Sequence, residues 1–489
     1  MSDIEIADDF YNDFDHEVPM SQKMYFGLGN FGAFLMNGVV GASIVKFYND
    51  IVGLDSSVIT IVLLLFMVWN TINDPIFGYL SDSGEAKEGV GKRLPWMRRF
   101  NIPFAIFFAL LWFSPIGDTW QNGLYFLIMY LLYDTCYTIV VLNFCALLAD
   151  MTANTLERSR IQLVGGIFGG FSAIISLIVP AFFLTGDIVL RDFQMVMVVI
   201  ALVCFVSIQL CAYKTKIRFI GEQKEALGII ESIKLSFKNK SFVVLVLSNF
   251  TMVFLTAVVT GSLFYYIEYV LGLTGVALIY PIIFTVSGCI VGAVLLMRWI
   301  ENVGLKTGML RGMVICGIGL ISSTFLDGWI LYVLMAFIGF GIIMPLLTFN
   351  VMVGELADED EMKTGTRREG MFFGFNALLT KPAGSIAGTF IVLMLDFFEF
   401  VRPIPIDNVF ISQPQTDFTI MGMKIMFGLV PGIFVLLGAW IFTHYELYGE
   451  RLEKVKDFLR SKNQNQIQQI EEAGLLDSHL DENPENDPS

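Results

Sequence analysis

Long apolar stretches alternate with short polar breaks along most of the 489-residue chain. A helix needs about 20 apolar residues to cross the hydrocarbon core of a bilayer, and lipid offers an unfolded backbone no hydrogen-bond partner. The pattern therefore predicts transmembrane helices. We predict twelve of them, at residues 24–47, 57–81, 100–115, 123–149, 162–184, 193–213, 241–269, 276–297, 308–325, 330–353, 370–396 and 418–444.

The longest internal polar break follows the sixth span and divides the helices into two sets of six. This layout is typical of transporters built from parallel repeats. The sequence thus predicts an all-α integral membrane protein with two six-helix bundles. Its predicted parts are an acidic tail at 1–22, an N-terminal bundle at 23–213, a linker at 214–240, a C-terminal bundle at 241–445, and a helix with an acidic tail at 446–489.

The distribution of lysine and arginine predicts the orientation, because these residues concentrate on the cytoplasmic side of a membrane protein. With residue 1 in the cytoplasm, the predicted external loops hold only Arg191 and Arg402, and the cytoplasmic flanks hold 25 basic residues. We therefore expect an even number of spans with both termini cytoplasmic. The tails and the linker at 214–240 are then cytoplasmic too.

Composition excludes several functional classes. Hydrophobic residues make up 55% of the chain and charged residues 16%, which is more apolar surface than a soluble protein of this length can hide. The net charge is −15, with acidic residues at both ends and no basic patch, so we predict no nucleic-acid partner. The six cysteines lie in apolar stretches without a CxxC pair, which predicts packing rather than a disulfide or metal role.

Catalytic motifs are missing from the sequence. There is no P-loop, no HExxH and no GxSxG, and the three histidines lie in or beside the tails. ATP-driven pumping, metalloprotease chemistry and a hydrolase nucleophile are therefore not predicted. We expect a carrier of a small solute rather than an enzyme, with no cofactor.

One polar cluster interrupts the second span. Asn70, Asn73 and Asp74 share a helix face through i, i+3, i+4 spacing. An ionisable residue at mid-helix costs about 2.5–3.5 kcal/mol on insertion scales, so it needs a reason. Two amide oxygens beside a carboxylate suit Na⁺, or a carboxylate that titrates with H⁺. The alternative is a polar face buried against another helix.

Two further ionisable residues lie deep in predicted spans. Asp134 forms an i, i+4 pair with Thr138 on the fourth span, and Lys381 lies in the eleventh span. A lone ammonium in lipid needs a carboxylate, and the predicted partner of Lys381 is Asp74, with Asp134 as the alternative. A cation arriving at Asp74 then competes with Lys381, which links the ion to a conformational change. Purely structural roles for these residues stay open.

Mixed charges cluster at two predicted cytoplasmic helix ends. Such clusters suit salt-bridge networks that form in one state and break in another. Positive-inside anchoring with solvated acids is the alternative interpretation. The candidate cytoplasmic gate residues are Asp82, Lys92, Arg93, Asp358, Glu361, Arg367 and Arg368.

Two motifs together carry a family resemblance: the Asn-Asp-Pro-Ile-Phe-Gly run at 73–78 and the Gly-Lys-Arg-Leu-Pro-Trp run at 91–96. In this order, with Tyr137-Thr138-Ile139 and Lys381, the chain resembles the glycoside–pentoside–hexuronide:cation symporters. These form the melibiose-carrier branch of the major facilitator superfamily. The resemblance implies twelve helices in the major facilitator fold, alternating access, and sugar uptake driven by Na⁺, Li⁺ or H⁺ across the cell membrane.

The resemblance also implies site residues. The implied cation site uses Asn70, Asn73, Asp74 and Thr138, with Lys381 beside it. The sugar carriers have an aspartate where this chain has Asn70, and charged groups where it has an apolar side chain, so Asp134 is a candidate substitute for lost charge. The implied substrate pocket comprises Phe34, Asn37, Asp134, Tyr137, Val141, Asn143, Phe168 and Asn376.

Those departures leave the substrate open between two classes. The first hypothesis is symport of a sugar, glycoside or similar small organic solute with Na⁺ or H⁺. Because a pocket with Phe34, Val141 and Phe168 is less polar than sugar hydroxyls need, an amphipathic lipid such as a lysophospholipid is the alternative. A membrane-embedded regulator or enzyme with the transporter fold is a third hypothesis. Membrane lipid surrounds the chain in each case, and we expect a functional monomer.

Overall fold

The computed structural model describes residues 17–82, 91–115, 118–152, 154–217, 239–365 and 369–472. The acidic tails predicted at both ends and the linker predicted at 214–240 therefore lie largely outside the described residues. The same holds for Arg367 and Arg368. Below, the N-terminal half means the described residues up to 217, and the C-terminal half means residues 239–443.

The N-terminal half consists of six helices. The first continues through one π-helical turn, Phe47–Ile51, before the chain reverses. The helices are α1 (Met20–Lys46), α2 (Ser56–Asp82), α3 (Arg93–Leu110), α4 (Thr119–Met151), α5 (Thr155–Leu184) and α6 (Leu190–Lys214).

The C-terminal half follows the same plan. Its first helix ends in a π-helical turn, Tyr266–Val270, and a 3₁₀ turn, Gly275–Leu278, precedes the second. The last membrane helix is continuous but passes through a π-helical turn at Ile425–Leu429. The helices are α7 (Lys240–Tyr265), α8 (Ile279–Val303), α9 (Leu305–Phe325), α10 (Ile330–Thr364), α11 (Glu369–Phe397), α12 (Asp417–Lys424) and α13 (Val430–Thr443), with α14 (Glu450–Glu472) beyond them.

Polar caps fix where several of these helices begin. Asp118, Asn154, Asn239 and Thr416 each accept a hydrogen bond from a backbone N–H of the first turn that follows. The first N–H groups of a helix have no partner within the helix, so each cap supplies one. The apolar runs then extend from these capped starts.

Packing separates the helices into two bundles. In the N-terminal half α1 packs against α5 and α6, and α3 packs against α4 and α6. In the C-terminal half α7 packs against α11 and α13, and α10 against α8 and α9. The halves meet where α2 packs against α11 and α1 against α7. The helical fold that the sequence predicts is thus present, with the described helices packed in two groups.

A small antiparallel sheet departs from the all-α prediction. The strands β1 (Ile188–Val189), β2 (Ile404–Ile406) and β3 (Val409–Ile411) pair in the order β1-β3-β2. Strands of two or three residues are too short for the alternation by which a strand is recognised. Because β1 belongs to the N-terminal half and the other strands to the C-terminal half, the sheet joins them. We call this end of the molecule the sheet face and the opposite end the terminal face.

Eleven helices in the described part of the chain are long and apolar enough to cross a membrane, judged by length and composition alone. They correspond to eleven of the twelve predicted spans. The third predicted span is the exception, because the helix there begins at Arg93 rather than near residue 100 and includes Arg98 and Arg99. These three arginines raise the polarity of α3.

Helix α10 ends eleven residues later than predicted, at Thr364 instead of residue 353. The extension consists largely of charged residues, and two of its acids pair with bases on α14. Glu359 Oε1 accepts from Arg451 Nε at 2.6 Å, and Glu361 forms an ion pair with Lys462. These ion pairs stabilise a helical extension that could not be recognised from the polar sequence of the segment alone. Gly365 then ends the helix with a φ of 73°, a left-handed conformation that favours glycine.

Candidate functional site

A cavity of about 660 Å³ lies between the two halves. Its walls come from α1, α2 and α4 on one side and from α7, α10 and α11 on the other. A cavity at the interface of two repeats is where transporters of this architecture bind their substrates.

The central contact in this cavity joins the predicted acid and base. Lys381 Nζ lies 2.6 Å from Asp74 Oδ1, so the predicted pairing of Lys381 with Asp74 is confirmed. The same ammonium donates to the backbone carbonyl of Asn70 at 2.8 Å and to Asn73 Oδ1 at 3.4 Å. Both side chains of the pair retain some exposure, 22% for Lys381 and 26% for Asp74. The pair is therefore accessible to a solute in the cavity.

Asp134 extends this contact into a network between α2 and α4. Asn73 Nδ2 donates to Asp134 Oδ2 at 2.5 Å and to Thr138 Oγ1 at 3.0 Å. Thr138 Oγ1 in turn donates to Asp74 Oδ1 at 3.2 Å. All five predicted cation-site residues, together with Asp134, thus form one hydrogen-bonded group. Two carboxylates and a hydroxyl lie close together there, which is a set of hard oxygen ligands suited to Na⁺.

Aromatic side chains of α4 form one wall of the cavity. The rings of Tyr130, Tyr133 and Tyr137 follow one another with centroid separations of 6.4 and 6.3 Å. Tyr130 also stacks on Phe66 of α2 at 3.7 Å. The facing wall carries small polar side chains, which are Asn249, Thr256 and Thr260 of α7 and Ser385 of α11. The cavity thus has a flat aromatic side and a hydroxyl- and amide-bearing side.

Four of the eight predicted pocket residues line this cavity: Asn37, Asp134, Tyr137 and Val141. The other four are not among its lining residues. Phe34 lies on the same stripe of α1 as Asn37, about one turn nearer the terminal face, and is exposed.

The remaining three predicted pocket residues make other contacts. Phe168 packs close to Gly27, and Asn143 donates to the backbone carbonyl of Ile139. Asn376 accepts from Asn249, which itself lines the cavity, at 3.0 Å. Asn376 therefore lies one hydrogen bond behind the cavity wall.

Of the predicted cytoplasmic gate residues, Lys92, Arg93, Asp358 and Glu361 lie near the terminal face. Arg93 pairs with Asp150 at 3.0 Å, and Glu361 pairs with Lys462 of α14. Lys92 and Asp358 lie beside these pairs in the chain. The side chain of Asp82 and both Arg367 and Arg368 lie outside the described residues. A network across the halves stays a prediction.

The sequence interpretation missed an ionic cluster near the sheet face. Lys46 Nζ, 1% exposed, lies 2.9 Å from Asp50 Oδ2 and 3.0 Å from Glu268 Oε2. Tyr265 donates its hydroxyl hydrogen to Asp50 Oδ1 at 2.8 Å. Lys46 and Asp50 belong to the N-terminal half, and Glu268 and Tyr265 to the C-terminal half. The i, i+4 spacing of Lys46 and Asp50 was the available signal, but their partner lies 222 residues further along the chain.

Loop residues reinforce this cluster. Glu268 Oε1 accepts from Ser412 Oγ at 2.8 Å and from the backbone N–H of Gly186 at 3.1 Å. Arg402 donates to the carbonyl of Leu54 at 2.8 Å and to Asn49 Oδ1 at 3.2 Å. We call Lys46, Asp50, Glu268 and Arg402 the sheet-face cluster. With the β-sheet, it ties the two halves together at this end of the molecule.

Comparison with known proteins agrees with this geometry. Residues 25–449 match the family model described as MFS/sugar transport protein. The chain belongs to this family. It is accordingly a multi-pass membrane transporter of the major facilitator type, as the motifs at 73–78 and 91–96 indicate.

Individual relatives of this MFS/sugar transport protein are distant but align over most of its length. It is 23% identical to a putative glycoside/cation symporter of Escherichia coli (strain K12), covering 95% of this chain and 100% of the relative. It is 25% identical to the isoprimeverose transporter of Lactiplantibacillus pentosus, with 77% and 80% covered. It is 23% identical to the glucuronide carrier protein homolog of Escherichia coli (strain K12), with 87% and 92% covered.

Solved structures support the fold. A variant of the nucleoside transporter NupG superposes with a TM-score of 0.60 at 12% identity, over 87% of this chain and 99% of NupG. A bacterial homolog of the human lysosomal transporter Spinster gives a TM-score of 0.58 at 11% identity, over 88% and 98%. At these identities the similarity shows the major facilitator fold and nothing about the substrate.

Proposed function

We propose that this protein is a symporter that couples uptake of a sugar or glycoside to Na⁺ or H⁺ by alternating access. The observation that carries the proposal is the Asp74–Lys381 pair, which joins the two halves inside their shared cavity. The names of the relatives, a glycoside/cation symporter and an isoprimeverose transporter among them, support a sugar as the solute. They favour it over the lysophospholipid alternative.

The pair gives the coupling a physical basis. A cation that binds Asp74 and Asp134 weakens the attraction that holds Lys381 on Asp74. Since Lys381 lies on α11 and Asp74 on α2, this changes the relative energy of arrangements in which α2 and α11 lie closer or further apart. A ligand shifts a conformational equilibrium only by its differential affinity for the two states. Competition for Asp74 supplies such a difference.

Na⁺ and H⁺ both fit the site chemistry. The oxygen atoms of Asp74, Asp134 and Thr138 suit Na⁺, whereas either carboxylate alone can take up H⁺. In each case the coupling ion is a transported species. The residues that hold it are the proposed cation site of Asn70, Asn73, Asp74 and Thr138, beside Lys381, with Asp134 as a further carboxylate.

We also propose the membrane arrangement. If α3 is a span like the other eleven, the chain crosses the membrane twelve times and both termini are cytoplasmic. The sheet face is then external, and the sheet-face cluster is an outer gate, closed in this structure. Asp82, Lys92, Arg93, Asp358, Glu361, Arg367 and Arg368 remain the proposed gate residues on the cytoplasmic side. One chain supplies both walls of the cavity, which supports a functional monomer.

The test is uptake by the purified protein in proteoliposomes. A library of radiolabelled sugars and glycosides is offered under an inward Na⁺ gradient, an inward H⁺ gradient, and no gradient. We expect at least one compound to accumulate above its external concentration under one gradient only. Equal uptake with and without both gradients, or accumulation of lysophosphatidylcholine instead of any sugar, contradicts the proposal.

A further inference from the structure

Acidic side chains outnumber basic ones in the lining of the cavity. Among the described residues that line it, the charged ones are Asp74, Asp134 and Lys381. Two acids thus face one base. The remaining polar lining is neutral, with amide and hydroxyl groups from both halves.

All the hydrogen-bond donors of the single base, Lys381, already have partners. A lysine ammonium has three N–H donors and no acceptor. Lys381 directs its ammonium at three oxygen atoms, which belong to Asp74 at 2.6 Å, Asn70 at 2.8 Å and Asn73 at 3.4 Å. An anionic group on a substrate would therefore have to break one of these contacts, and it would arrive beside two carboxylates. Like charges at such range raise the free energy of binding, more so away from bulk water.

Neutral hydroxyl groups of a substrate find partners on both sides of the cavity. The amide of Asn37 on α1 and the hydroxyl of Thr256 on α7 line it and are exposed. An amide and a hydroxyl can each donate and accept hydrogen bonds, and so can the hydroxyls of a sugar. These two groups come from opposite halves, as the two sides of a bound sugar would require.

We infer that the transported sugar is uncharged, a neutral sugar or glycoside rather than a uronide or a sulfonated sugar. The inference rests on the proposed function and narrows its substrate class. It separates this chain from its relative named as a glucuronide carrier protein homolog, since a glucuronide carries a carboxylate. With one cation bound, the charges of Asp74, Asp134, Lys381 and the cation sum to zero, so the cavity has no net positive charge to attract an anionic substrate.

Matched pairs of sugars test the inference. Proteoliposomes with the full chain receive 4-nitrophenyl β-glucoside or 4-nitrophenyl β-glucuronide, and the corresponding galactoside and galacturonide, under the same cation gradient. We expect the neutral member of at least one pair to be taken up at least tenfold faster than its acid. Uptake of the acid at an equal or higher rate overturns the inference but leaves sugar symport intact. If the cation gradient drives uptake of none of the four sugars, the result contradicts the proposed function and the inference that rests on it.

A lysine introduced into the cavity wall tests whether charge determines the preference for neutral sugars. Thr256 faces the cavity and bonds only to the backbone carbonyl of Met252 among the described contacts. Thr256→Lys supplies a free ammonium, and Thr256→Met supplies a side chain of similar length without charge. We expect Thr256→Lys, relative to Thr256→Met, to raise the ratio of acid to neutral uptake by roughly tenfold. Because the ratio compares two sugars in one variant, any loss of uptake that affects both sugars equally cancels. If Thr256→Lys does not fold, Thr260→Lys and Thr260→Met provide the same comparison. An unchanged ratio in a folded lysine variant overturns the charge argument.

Discussion

Lys381 Nζ lies 2.6 Å from Asp74 Oδ1, although the two residues are on different halves of the molecule. Two unit charges 4 Å apart interact by about 4 kcal/mol at an effective dielectric constant of 20. Inverting a two-state equilibrium from 1:99 to 99:1 requires about 5.5 kcal/mol. One ion pair across the halves is thus of the right size to bias which state the protein adopts. An ion that competes for Asp74 acts directly on that bias.

Replacing Lys381 by methionine should tighten cation binding. Asp74 then no longer has to release an ammonium, so the cation gains the attraction that Lys381 held. We expect the apparent Kd for the coupling ion to fall on the order of tenfold, equal to about 1.4 kcal/mol. The measurement is thermal unfolding of the purified protein as a function of Na⁺ concentration and of pH. Lys214→Met, which removes an exposed lysine outside the cavity, is the matched control, and equal titrations for both variants contradict the prediction.

Asp134 should contribute to cation affinity without being indispensable. It shares Asn73 with Thr138 but does not contact Lys381 directly in any described hydrogen bond or ion pair. Asp134→Asn removes one of two carboxylates from the oxygen set, so we expect the apparent cation affinity to fall about 10- to 100-fold with transport retained at high cation concentration. Uptake titrated against the cation measures this. Asp396→Asn, at an exposed position of α11, controls for the loss of a carboxylate elsewhere in the protein. If uptake by Asp134→Asn depends on cation concentration as in wild type, Asp134 does not contribute to cation binding.

The sheet-face cluster should stabilise the state described here. Removing one member of a buried ion pair leaves an uncompensated charge and costs about 3–5 kcal/mol. Lys46→Met leaves Asp50 and Glu268 without their cation, and we expect a marked fall in the unfolding temperature or an opening of this face. The triple variant Lys46→Met, Asp50→Asn, Glu268→Gln removes the charges together and should recover much of the loss. For an accessibility assay, Thr256→Cys is introduced both into wild type and into Lys46→Met. If Lys46→Met is as stable as wild type, and the added thiol reacts with an impermeant reagent at the same rate in both proteins, the cluster does not act as a gate.

A reversible cross-link can hold the sheet face shut. Ile188 and Phe410 are register partners in the antiparallel pair of β1 and β3, where Cα atoms lie about 4.5–5.5 Å apart. That separation suits a disulfide. The double variant Ile188→Cys, Phe410→Cys should lose sugar uptake on oxidation and regain it on reduction, because the outer gate cannot open while the bond is present. Each single variant should transport under both conditions. Full uptake by the oxidised double variant, with the disulfide confirmed by mass spectrometry, argues against opening at this face.

Features governed by local pattern were predictable from the sequence. Apolar length located eleven of the membrane helices, and the helix predicted within 446–489 is α14 at Glu450–Glu472. The pairing of Lys381 with Asp74 was predictable too, because isolated charges in lipid have few alternatives. That Asn70, Asn73 and Asp74 lie together follows from their spacing on one helix, whereas the hydrogen bond from Asn73 to Asp134 of α4 was not predicted.

Features that depend on distant partners were not predictable. The extension of α10 to Thr364 needs Arg451 and Lys462 of α14, and neither is visible from the acidic segment itself. The strand β1 is two residues long and exists through its pairing with β3. The burial of Lys46 requires Glu268 from the other half. In each case a contact across the fold overrides what the local sequence favours.

The most direct test of the coupling mechanism is sugar-dependent cation flux through Asp74→Asn. This variant keeps a polar side chain of the same size but removes the charge for which the ion and Lys381 compete. Flux is recorded in proteoliposomes with a Na⁺- or pH-sensitive dye while a transported sugar is added, and folding is checked by thermal unfolding. We expect sugar to evoke cation entry in wild type and none in the folded variant, with accumulation of sugar abolished. Cation entry at the wild-type rate in Asp74→Asn would contradict the coupling mechanism.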